Sequence, residues 1–134
     1  MATRDYTASF LKLARSKFRS RFHLSAADRA YVAEKGVETI RRHAEDFIRS
    51  RLAPSHPPGD GRQTPMRGHP VFKAQHACAC CCRGCLAKWW KVPEGTEIPP
   101  ERQVRIVDVL MAWVEREMRG RGDPDSRRPS SPGT

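Results

Sequence analysis

The chain has 134 residues and sets 25 Lys and Arg against 15 Asp and Glu, a formal charge of +10. That length supports one hydrophobic core and not comfortably two, and 38% apolar residues argue against wholesale disorder. No apolar run approaches the roughly 20 residues of a bilayer crossing, and Lys12 interrupts the early apolar stretch Phe10 to Leu13, against a secretory segment. The expectation is a cytoplasmic protein without a membrane contact.

Taken in chain order, a flexible N-terminus over 1–7 leads into a helical domain over 8–118. Residues 8–22 place Phe10, Leu11, Ala14, Phe18 and Phe22 in one arc of about 120°, which predicts a helix. Its basic residues Lys12, Arg15, Lys17, Arg19 and Arg21 have no acid between them. Arg15, Lys17, Arg19 and Arg21 are thus candidate contacts for nucleic acid or an acidic partner. They form a collar around the wheel, not a stripe, which favours an ordinary solvated surface over a binding face.

Ser25 and Asp28 have capping-box spacing. Gly36 would end that helix or be carried through it at about 1 kcal/mol relative to Ala. Ala30, Ala33, Val37, Ile40, Ala44, Phe47 and Ile48 keep one phase across it, favouring a single helix from about Ala26 to Leu52. Glu45 and Arg49 have the favourable i,i+4 order within it, and Pro54 stops it.

Residues 54–68 are rich in Pro and Gly and lack periodicity, a long connection that is either functional or a plain surface wrap. Pro70 suits the first turn of a further helix. Residues 71–90 read as helical, in two pieces meeting near Arg83-Gly84. The last helix, about 101–118, aligns Val104, Val107, Leu110, Met111, Val114 and Met118, with Gly120 at its exit. Residues 119–134 bury too little to offset the entropy of ordering and read as a disordered tail. The sum is an all-α, small single-domain bundle of four or five helices with a long Pro/Gly loop.

All five cysteines lie between positions 78 and 85. So tight a cluster closes no sizeable loop, so free thiols or metal thiolates are favoured over disulfides. Wound as one helix, Cys78, Cys81, Cys82 and Cys85 share an arc of roughly 100°, and His76 points about 180° from Cys85. Small buried apolar residues would follow the same pattern. Zinc, whose borderline-soft character suits sulfur and imidazole, would take Cys82 and Cys85 as half of a four-ligand site. Cys81, His76, His69 and His43 are the candidates for the rest, His76 and His69 only if the chain bends between Cys80 and Gly84, and His43 from the core edge of its own helix. A reactive thiol would need nearby positive charge, which Arg83 could supply.

Four stretches also carry a resemblance to a known family. They are residues 14–22 (ARSKFRSRF), 41–47 (RRHAEDF), 63–72 (QTPMRGHPVF) and 81–86 (CCRGCL). Together they resemble an uncharacterised bacterial domain of unknown function, about 110 residues long, over roughly positions 8–118. The resemblance implies that His43, Glu45, Asp46, Arg67, His69, His76, Cys81, Cys82, Arg83 and Cys85 occupy the family's polar motif positions. Cys78 and Cys80 depart from that pattern.

Three functions compete. The first is a small metal-binding module, with zinc as the cofactor; with water in one position, Glu45 or Asp46 would be the candidate base for metal-assisted hydrolysis. The second is a nucleic-acid or acidic-partner binding protein using the basic helix. The third is a thiol-dependent enzyme.

Overall fold

A computed structural model describes residues 6–119. It contains seven α-helices: α1 Thr7–Leu13, α2 Lys17–Ser20, α3 Ala26–Lys35, α4 Val37–Phe47, α5 Pro70–Ala77, α6 Arg83–Trp90 and α7 Pro100–Met118. A π-helical turn, Ile48–Leu52, continues α4, and there is no strand among the described residues. The all-α bundle agrees with the sequence expectation. The helix count exceeds the expected four or five because predicted rods are broken at specific residues.

The first break follows α1. Ser16 takes an extended backbone and its hydroxyl accepts the Arg19 N–H, so α2 starts afresh on a new axis. The single arc expected over 8–22 is thereby dissolved. Phe10 and Leu13 enter the core, whereas Leu11 and Phe18 remain exposed.

The second break is Gly36, at φ 90° and ψ 147°, a conformation open to glycine and strained for other residues. It ends α3 and precedes α4, correcting the expectation of one helix across Ala26–Leu52. The phase resets there: α3 buries Val32 and leaves Ala30 and Ala33 outside. The expected face holds from Ile40 onward through Ala44, Ile48 and Leu52. The Ser25–Asp28 capping box is formed reciprocally, and Asp28 also pairs with Lys73 of α5. Arg49 pairs with Asp46 at 2.9 Å instead of with Glu45.

α7 is the axis of the domain, packed against α4, its π-turn and α5. Its Val107, Leu110, Met111 and Val114 are buried as the periodicity requires, joined by Ile106, Val109 and Trp113. Val104, expected on that face, is exposed. Glu117 is buried on α7 and receives the Leu24 N–H at 2.9 Å and His23 Nδ1 at 3.1 Å, tying the α2–α3 connection to the axis. Of the segments expected to be unstructured, only Tyr6, Thr7 and Arg119 are described, and Thr7 opens α1. The rest of the expected tail, with Gly120, lies outside the described residues.

Candidate metal centre

The predicted helical stretch 71–90 is interrupted by a turn over 78–82, which joins α5 to α6 and carries most of the cysteines. Ala79 is left-handed at φ 60°. Gln75 holds the turn from inside by donating to the Cys80 carbonyl at 3.1 Å, and its own carbonyl accepts the Cys80 N–H at 2.8 Å. Trp90 donates its indole N–H to the Cys78 carbonyl at 2.7 Å. The proline-rich 54–68 connection is drawn across this turn. Thr64 donates to the Cys81 carbonyl at 2.8 Å, and Asp60 accepts the Arg83 N–H at 3.1 Å.

This turn does what a continuous rod could not. Cys82 becomes the N-cap of α6, its Sγ accepting the Cys85 N–H at 3.4 Å. Cys81, Cys82 and Cys85 then bring their sulfurs to within 4.8 Å of one another. Thiolates gain there from the unpaired N–H groups and partial positive charge of a helix start. Cys78 and Cys80 point elsewhere and are fully buried; burial pushes both thiols well up, as for inert core cysteines. All five cysteines are free.

A cation faces the cluster from α2, which packs against α5. Arg19 donates to Cys85 Sγ at 3.1 Å, approaches Cys81 Sγ at 3.9 Å and donates to the His76 carbonyl at 2.6 Å. Its guanidinium lies 5.5 Å from the Trp89 ring and 5.8 Å from that of Phe18. Burial works to neutralise Arg19, but the hydrogen bond and charge of Cys85, with Cys81 behind, hold its pKa above the ordinary value. The Cys81 thiol is lowered, first by the hydrogen bond from Cys85 and then by Arg19, with burial opposing. Cys85 rises through the same bond to Cys81 and through burial; burial also raises Cys82. The shared hydrogen bond thus pushes the two thiols in opposite directions, Cys81 down and Cys85 up.

Arg19 is thus separated from the basic set it shares in sequence. Arg15, Lys17 and Arg21 are exposed, whereas Arg19 is buried. Nothing local in the sequence distinguishes it; the docking of α2 on α5 does. Arg83, the cation expected beside the thiols, is instead turned away into a nest of carbonyls, donating to those of Leu52, Ala53, Pro54, Pro93 and Thr96.

The histidines are placed differently from the sulfurs. His69 caps α5, its Nδ1 accepting the Val71 N–H at 3.0 Å. Its proton is therefore on Nε2, donated to His43 Nδ1 at 2.9 Å, so no nitrogen of His69 is available to a metal. His76 Nε2 donates to the carbonyls of Thr64 and Pro65 at 3.1 and 3.2 Å. Its ring stacks on Phe22 at 5.2 Å, and its Nδ1 is buried without a partner. None of the three rings belongs to the three-sulfur group. Glu45 and Asp46 lie on the exposed face of α4 and are likewise outside it.

The His43–His69 contact has a pH consequence. Burial first, and His43 next, lower the His69 pKa from 6.5 to about 4, with Asp28 acting the other way. The unfolded chain then binds a proton that the native state refuses between those values, so stability falls as pH drops from about 6.5 towards 4. Chemical denaturation across that range should show the slope in the native protein and a flatter one in His69→Gln.

The fold and the cluster define a small all-helical domain with a cysteine-based site able to coordinate a metal ion. The chain belongs to the family described as Domain of unknown function (DUF4186), whose model matches residues 7–115. No solved structure matches it. No helix among the described residues is long and apolar enough to cross a membrane.

Proposed function

We propose that the protein is a small zinc-binding module. The observation that carries this reading is the convergence of Cys81, Cys82 and Cys85 at the start of α6. Three sulfurs and a nitrogen suit a borderline-soft, tetrahedral cation. Three thiolates around a divalent ion leave one negative charge, and Arg19 is already placed to neutralise it. Metal-ligating histidines characteristically donate their other ring N–H to a carbonyl, and His76 does so through Nε2. Its Nδ1, although outside the three-sulfur group, is buried without a partner and is the candidate fourth donor. Through Thr64 the ring is linked to the backbone of Cys81. A site closed by His76 is structural; one closed by water keeps an open position for chemistry.

Elemental analysis of the purified native chain should find one zinc per molecule, and none after Cys82→Ser with Cys85→Ser. Cobalt substitution reads the ligand set: the wild-type spectrum should be that of a three-sulfur, one-nitrogen tetrahedron, and His76→Ala should alter it without removing the sulfur-to-metal bands. Native protein free of metal would end the proposal.

A second reading, a reactive thiol, is favoured by the Arg19 contact and the lowered Cys81 pKa. Alkylation at neutral pH separates the two. Fast modification of Cys81 in metal-free native protein supports reactivity, while protection that is lost on chelation supports the metal.

A further inference from the structure

A cavity of about 350 Å³ opens between the entry to α1, the C-terminal end of α6 and the first half of α7. None of the three clustered sulfurs lines it, although Cys80 and Trp90 belong to the turn that carries them. Its floor is apolar, formed by Val92, Ile106 and Val109 over the buried Cys80. Half-buried Tyr6 and Trp90 supply aromatic walls, and the indole is fixed by its bond to the Cys78 carbonyl.

The polar part of the lining has one sign. Lys91, Arg102 and Arg105 face the cavity and no carboxylate does. None of the three enters an ion pair among the described residues. The nearby α7 acid Asp108 is engaged with Arg41 at 3.0 Å. Lys91 is also held left-handed at φ 62°, the position after a helix that glycine fills at least cost. The chain keeps a lysine there, so a strained backbone brings a cationic side chain to the rim.

We infer that this cavity binds a small amphipathic organic anion. The apolar body rests on the aliphatic floor between Tyr6 and Trp90, and the carboxylate or phosphate head is met by Arg102 and Arg105 with Lys91. Two guanidinium groups offer the forked donors that planar anions accept. An apolar cavity of this size with a few convergent polar groups is the usual form of a small-ligand site.

Calorimetric titration of the full chain with 2-naphthoate and octanoate tests this. Both should bind once per chain, compete with each other and weaken with salt. 2-Naphthalenemethanol, which lacks the charge, and inorganic phosphate, which lacks the body, should each bind at least tenfold more weakly. Arg102→Gln with Arg105→Gln, the first half-buried and the second exposed, should weaken naphthoate at least tenfold, and Tyr6→Ala should weaken it while circular dichroism stays unchanged. The inference is overturned if neither carboxylate saturates, if both variants bind as the native chain does, or if phosphate binds as tightly as naphthoate. The last result would mean a plain basic patch.

Discussion

Replacing Arg83 with methionine should lower the unfolding free energy by about 4 kcal/mol and the melting temperature by roughly 15 °C. Arg83 is 1% exposed and its guanidinium has no carboxylate partner among the described residues. Its charge is balanced by carbonyl dipoles, with the shortest contacts to Pro54 and Pro93 at 2.7 Å and Thr96 at 2.6 Å. These carbonyls belong to the connections that leave α4 and α6, so one side chain joins two loops that otherwise share the Ile98–Ala53 backbone bond at 2.9 Å. Methionine fills much of the volume and bonds none of the oxygens; Ala53 keeps the Ile98 N–H, and each other acceptor left buried and unpaired costs about 1–3 kcal/mol. Lysine keeps the charge but not the planar fork, so Arg83→Lys should recover only part of the loss. Equilibrium urea unfolding of the three proteins measures both effects. Native-like stability in Arg83→Met would show that water replaces the guanidinium without penalty.

Chelation should destabilise the domain by a comparable amount. A ligand that binds only the native state at a thousand times its dissociation constant contributes about 4 kcal/mol, so a strong chelator should lower the melting temperature by roughly 15 °C. Added zinc should restore it, while the Cys82→Ser, Cys85→Ser double variant should respond to neither. The thiols must lose protons to bind, so affinity falls with pH. The raised Cys82 and Cys85 pKa values make deprotonation costlier and so lower the apparent affinity at a given pH, and release should begin while ordinary carboxylates are still ionised. Arg19 counters this by favouring the thiolate form. Arg19→Gln should therefore weaken zinc about 10–100-fold, as loss of an outer partner typically does, and move the release midpoint to higher pH. Melting curves recorded from pH 8 to 5, with and without chelator, follow the whole series.

The helical character, the capping box at Ser25, the start of α5 at Pro70 and the buried face of α7 were legible in the sequence because each rests on neighbours within two turns. So was the segment holding the sulfurs, since free cysteines within eight residues have few alternatives to burial or metal. Whether Gly36 interrupts a helix was not legible. Glycine permits both outcomes, and the apolar phase that argued for continuity is not kept on the α3 side, where Val32 is buried in place of Ala30 and Ala33. The same holds for the cysteines. Their geometry depends on a left-handed Ala79, which no local propensity favours and which Gln75, Thr64 and Trp90 hold from three directions.

The amino-acid order by itself determined a helical chain, its main caps and the stretch where sulfur chemistry is concentrated, because hydrophobic periodicity and cap hydrogen bonds are short-range. The tertiary structure alone decided the roles of the two arginines. Arg19 reaches the thiols because α2 docks on α5, and Arg83 is committed to carbonyls of the π-turn and the loops, contributed from as far as 31 positions away. A guanidinium at the end of a long flexible side chain takes its partners from whatever backbone the fold brings near, and that is written in no window of neighbouring residues.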